Sequence, residues 1–126
     1  MARVLIVEDE EQVRVLAESY LREQGHQTVT AATPVEALAA LDVAAGIDLI
    51  FVDVGLRDDP HAGLNLASEA RRRHPNLKVL YVTGQSVTDG MRAMMVERSA
   101  LLEKPYTVEQ LQTALIVHFE IRARAR

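Results

Sequence analysis

Apolar residues along the chain fall into two kinds of cluster. Short continuous runs occupy residues 4–7, 28–31, 47–52, 77–82 and 100–102. The first, third and fourth are rich in β-branched residues and hardly alternate, which is the pattern of strands buried on both faces of a parallel sheet. The segments between them carry helical spacing instead. In residues 11–24, Val13, Leu16, Ala17, Tyr20 and Leu21 recur every three or four positions and predict one face turned toward a core. Gly25 follows where a left-handed C-terminal cap belongs. Thr33-Pro34-Val35-Glu36 combines a capping box with proline at the first helical position, and Ala37, Leu38, Ala40 and Leu41 supply that helix's apolar face. Residues 63–74 predict a third helix stopping before Pro75. A fourth, residues 87–99, contains Gly90, which weakens a helix by about 1 kcal/mol relative to Ala. The last opens with the capping box Thr107-Val108-Glu109-Gln110 and turns Val108, Leu111, Leu115 and Phe119 inward.

Strand and helix therefore alternate as (βα)5. Right-handed crossovers place helices on both faces of the sheet, which explains the two-sided apolarity of its strands. A closed eight-stranded barrel typically needs about 250 residues, so the expected fold is α/β: an open, doubly wound parallel sheet of order 2-1-3-4-5. Residues 1–122 are expected to make one domain and residues 123–126 a basic C-terminal tail, with residues 121–126 the solvated, fraying end of the last helix.

Composition narrows the chemistry. A chain of 126 residues with 48% hydrophobic and 25% charged residues is an ordinary soluble domain, able to bury a core without staples. It has no cysteine, which excludes disulfides, thiolate metal sites and thiol nucleophiles. Fourteen Lys and Arg against eighteen Asp and Glu give a net charge of -4, contrary to the basic face that direct nucleic-acid binding requires. The apolar runs are too short to span a bilayer and no signal peptide precedes the first. A cytoplasmic protein, off the membrane, is the expectation.

In an open parallel sheet, ligands bind beyond the carboxyl ends of the strands, at the switch point in strand order. Four strands deliver polar groups to that edge: Glu8 and Asp9 after the first, Asp53 at the end of the third, Thr83-Gly84 after the fourth and Lys104-Pro105 after the fifth. Each has a plainer reading alone. Asp9 could cap a helix, Asp53 could start a turn, Thr83 could bond its own loop, and Lys104 could be a solvated charge. Together they suggest a site, because neighbouring carboxylates repel unless a cation lies among them. Glu8, Asp9 and Asp53 offer hard oxygen ligands suited to Mg2+, and the absence of His and Cys from the set disfavours zinc or copper.

The ordered set Val-Leu-Ile-Val-Glu8-Asp9-Glu10, Ile-Asp-Leu-Ile-Phe-Val-Asp53, Val-Leu-Tyr-Val-Thr83-Gly84 and Glu-Lys104-Pro105-Tyr106 resembles the receiver domain of two-component response regulators, over essentially the whole chain. The resemblance implies a stand-alone receiver without an output domain. Asp53 would accept a phosphoryl group from a sensor histidine kinase or histidine phosphotransfer protein. Mg2+ would be held directly by Asp9 and Asp53, with Glu8 and the Gly55 backbone carbonyl completing the set. Lys104 and Thr83 would contact phosphoryl oxygens, Gly84 would leave the approach to Asp53 open, and the Lys104-Pro105 bond would be cis. Thr83 and position 101 would form the switch, with output to a downstream protein through the face made by the fourth helix, fifth strand and fifth helix. Beyond its own phosphorylation and dephosphorylation such a protein is not an enzyme, and it would be a monomer or weak dimer.

Two departures from the family pattern stand out. Leu101 occupies a place usually held by Tyr or Phe, and the loop from Val54 to Gly63 is longer than usual. Asp58 and Asp59 in that loop are expected to be solvated turn residues and His61 a surface residue. The alternatives are a degenerate receiver working as a phosphorylation-independent binding module, a Mg2+-dependent phosphatase, and a flavin carrier. Gly55 stands where such a phosphatase would need its second acid, and the acidic loop after the first strand would repel a flavin phosphate.

Overall fold

The computed structural model describes residues 1–44 and 46–124. Five parallel strands, β1 (Arg3–Val7), β2 (Gln27–Ala31), β3 (Leu49–Asp53), β4 (Lys78–Thr83) and β5 (Ser99–Glu103), form one sheet in the order β2-β1-β3-β4-β5. The order of the expected doubly wound sheet is therefore found. Every residue of β3 is buried, as its unbroken apolar run requires of a central strand. The edge strand β2 alternates Thr with Val and is only partly covered.

Helices α1 (Glu11–Glu23), α2 (Pro34–Val43), α3 (Ala62–Arg73), α4 (Asp89–Met94) and α5 (Val108–Phe119) cover the two faces. Leu5, Ile50, Val52, Val79 and Tyr81 pack with α2 and α3 on one side, and Val4, Ile6, Leu49, Leu80 and Val82 with α1 and α5 on the other. The caps read from the sequence are present. Thr33 accepts the Glu36 N–H, Thr107 and Gln110 form a reciprocal capping box, and Gly25 takes φ +89 at the end of α1.

Three expectations need correction. Leu16, expected on the buried stripe of α1, is 50% exposed beside Val15, and Ala17 and Leu21 alone of that stripe are fully buried. The fourth helix is much shorter than residues 87–99, because tertiary bonds claim the backbone beyond Met94. The Val96 N–H donates to the Tyr81 hydroxyl at 3.0 Å, and Arg71 donates to the carbonyls of Glu97 and Arg98 at 2.7 and 3.2 Å. Finally, the chain after α5 does not fray from Ile121 to Arg124. Glu120 adopts a left-handed cap, Ile121 is buried against the α1/α5 side, and the Arg124 N–H donates to the Gln24 carbonyl at 2.7 Å. The last two residues of the basic tail, 125 and 126, lie outside the described residues.

Candidate functional site

The register of the sheet brings the strand ends together. Val7 of β1 lies beside Val52 of β3, so the residues that follow each, Glu8 and Asp53, are neighbours at the switch between β1 and β3. Asp53 is in turn paired with Val82 of β4, one residue before Thr83, and Thr83 is paired with Glu103, one residue before Lys104. Carboxylate oxygens of Glu8, Asp9 and Asp53 lie within 4.8 Å of one another. Hydrogen-bonded backbone holds the groups in place, including the Lys104 N–H donating to the Thr83 carbonyl at 2.7 Å and the Glu8 N–H to Ala31 at 3.1 Å.

Lys104 completes the cluster. Its ammonium donates to Glu8 Oε2 at 2.9 Å and stands 3.6 Å from Asp53 Oδ2. Burial outweighs the lysine's attraction and pushes the Glu8 carboxyl above its usual range, aided by the nearby Asp53 charge. Lys104 is itself burdened by burial, yet its bond to Glu8 and the charges of Asp53 and Glu8 lift it above the ordinary lysine value, so it stays protonated at neutral pH. Three carboxylates facing one ammonium leave an excess of negative charge. An all-oxygen donor set of this kind fits a hard divalent cation such as Mg2+.

Of these groups Asp53 and Lys104 open onto a cleft of about 420 Å3, lined also by Thr83, Gly84 and Gly55, with Val54, Pro60 and Met91 as its apolar wall. The Gly55 N–H donates to Asp53 Oδ1 at 3.2 Å. The Thr83 hydroxyl is engaged in its own turn, donating to the Gln85 carbonyl and accepting the Gln85 N–H, both at 3.1 Å. A Cβ placed on Gly84 would come 3.9 Å from Cδ of Lys104. The Lys104-Pro105 bond is cis.

Leu101 does not line the cleft. It lies in β5 directly across from Tyr81, packed toward the α3 and α4 side. His61 is exposed, while Asp59 bonds within its turn, accepting the His61 N–H at 2.9 Å. Asp58, expected to be a solvated turn residue, is exposed but also lines the cleft.

For several contributors the sequence gives no sign of a place in the cleft. Glu10, Val13 and Met91 reach the cleft from helix starts that look like any other. Gly63 is less hidden, since a glycine in the first turn of a helix hints at close packing. A Cβ there would collide with the Asp53 carbonyl oxygen and come 2.8 Å from the Val54 Cα.

Comparison with known proteins agrees with this geometry. The family model described as "Response regulator receiver domain" matches residues 4–116. The chain is 32% identical over 116 residues to the sensor kinase CckA of Brucella abortus, covering 90% of this chain and 12% of that protein. Among solved structures, chemotaxis protein CheY4 of Vibrio cholerae superposes with a TM-score of 0.83 at 26% identity, covering 94% of this chain and 99% of that one. Response regulator TrrA of Thermotoga maritima, solved in complex with Mg2+-BeF, superposes with a TM-score of 0.77 at 26% identity, covering 91% and 96%. The chain spans 12% of the first curated relative and 26% of the second, the alginate regulator AlgB of Pseudomonas aeruginosa.

Proposed function

The chain belongs to the response regulator receiver domain family, and from that premise we propose that Asp53 is its phosphoacceptor. The donor is a phosphohistidine on a sensor kinase or histidine phosphotransfer protein. One carboxylate oxygen of Asp53 attacks phosphorus; the new P–O bond forms as the P–N bond breaks. The electron pair of the broken bond stays on the imidazole nitrogen, which takes up a proton, and Asp53 is left as an acyl phosphate. The observation that carries this reading is the Lys104 ammonium, set between Glu8 and Asp53 in one cluster with Asp9.

Each neighbouring residue has a role in that step. Asp9 and Asp53, with Glu8 behind them and the Gly55 carbonyl as a further oxygen, would hold Mg2+, whose charge offsets the repulsion between an anionic nucleophile and an anionic phosphoryl group. Lys104 places a fixed positive charge where the transferred oxygens arrive, and its protonation at neutral pH suits that task. Gly84 keeps the cleft open above it. The Thr83 hydroxyl exchanges its bond to Gln85 for a phosphoryl oxygen, and this exchange passes to α4 and β5 as a population shift. Output then goes through the α4, β5 and α5 face to a downstream protein, and the domain catalyses no reaction beyond its own phosphorylation and dephosphorylation.

Intact-mass measurement after incubation with acetyl phosphate and Mg2+ tests the assignment. The wild type gains one phosphoryl group and Asp53→Asn gains none. Equal gain in Asp53→Asn, or no gain by the wild type, contradicts it.

A further inference from the structure

The segment after β3 contains two consecutive non-glycine residues in the left-handed region, Arg57 at φ 56, ψ 35 and Asp58 at φ 58. Side chains disfavour that conformation, so two in succession on an exposed loop need something to hold them. The turn is anchored below by Leu56, which is fully buried, and closed by the Asp59 N–H donating to the Leu56 carbonyl at 3.0 Å. Its product is one long-range contact: the Arg57 N–H donates to Asp9 Oδ2 at 3.1 Å, across 48 residues of sequence. Asp9 is exposed, and among the described residues this is the one hydrogen bond its carboxylate makes. The Arg57 guanidinium makes no ion pair among the described residues, so the contact belongs to the backbone alone.

We propose that the Arg57 backbone N–H is a positioning group for the divalent-cation site, and that the left-handed turn at Arg57 and Asp58 holds it there. The inference rests on reading Glu8, Asp9 and Asp53 as that site. An exposed carboxylate without a partner samples several rotamers. Fixing one oxygen with an amide restricts the side chain and leaves the second oxygen without a protein donor. Hydrogen-bond partners of this kind orient carboxylate ligands generally, and losing one typically costs about 10–100-fold in metal affinity.

Two backbone-directed variants of the full chain separate the amide from the side chain, with Mg2+ affinity read by calorimetric titration. Arg57→Pro removes the N–H and cannot adopt positive φ, so affinity falls by about tenfold or more. Arg57→Gly restores an N–H at a residue that takes positive φ freely; it binds within about threefold of wild type and unfolds at a higher temperature. A second measurement does not depend on Arg57→Pro folding. In Asp9→Ala the Arg57 amide proton shifts upfield and exchanges at least about tenfold faster than in wild type. Equal affinity in Arg57→Pro, or an Arg57 amide indifferent to Asp9→Ala, overturns the positioning role while leaving the cation site standing. A wild type that binds no Mg2+ overturns the site and the role together.

Discussion

At the scale of single residues, the acid cluster is assembled from parts whose chemistry is visible in sequence and parts whose geometry is not. Glu8, Asp9, Asp53, Thr83 and Lys104 were legible because each ends an apolar run, and strand ends of a parallel sheet share one edge. In the sequence Gly63 marks only the junction between the loop after the third strand and the third helix. Its lack of a side chain lets the first turn of α3 press on the backbone immediately after Asp53. Gly63→Ala gains helix propensity yet forces a methyl group into the Asp53 carbonyl, and overpacking of this kind costs about 1–3 kcal/mol. Chemical denaturation should show that loss together with slower phosphoryl labelling. A Gly63→Ala protein as stable as wild type would show that α3 can shift freely away from β3.

Among the elements, α4 departs most from its sequence. The helix expected over residues 87–99 forms only as Asp89–Met94, and none of its residues is fully buried. Propensity lost to tertiary bonding here. The Tyr81 hydroxyl and the Arg71 guanidinium claim the backbone of the segment from Val96 to Arg98, and no local pattern reports such partners. Tyr81 is fully buried in β4 and stands directly across from Leu101 of β5. Burial pushes the Tyr81 phenol above its ordinary value and keeps it neutral through the physiological range. Tyr81→Phe keeps the ring and deletes the acceptor. It should cost about 1–3 kcal/mol, the range for leaving a partly buried donor unpaired, and should speed exchange of the Val96 amide. Unchanged Val96 exchange would mean that the segment after α4 is held by Arg71 alone.

For the whole molecule, burial on both faces of the sheet makes the fold readable. A two-sided apolar run has few other homes, and in the order β2-β1-β3-β4-β5 right-handed crossovers put helices on both faces. The end of the sheet away from the cleft is less readable, because Ile121 is buried among the α1 and α5 side chains and the Arg124 N–H bonds back to the Gln24 carbonyl at the end of α1. His26 lies at that end, buried, with Nδ1 accepting the Ala2 N–H at 3.1 Å. Burial, and then the positive N-terminus, hold its pKa below the usual histidine value. A histidine depressed in the fold binds its proton more readily when unfolded, so folding is most stable above about pH 6.5, the ordinary value, and weakens as pH falls toward the depressed one. Protonation also converts Nδ1 from acceptor to donor and breaks the bond to Ala2. Thermal melts between pH 8 and pH 5 should therefore show a falling midpoint that His26→Gln flattens. An equal fall in both proteins would move the effect to other groups.

The phosphoacceptor assignment is tested most directly by finding the modified atom. Borohydride reduction of the protein labelled with acetyl phosphate and Mg2+ converts an aspartyl phosphate to homoserine, which peptide sequencing by mass spectrometry then locates. Homoserine at position 53, and at no other position, is the expected result. Homoserine at position 9, or a labelled protein that yields none, would contradict it.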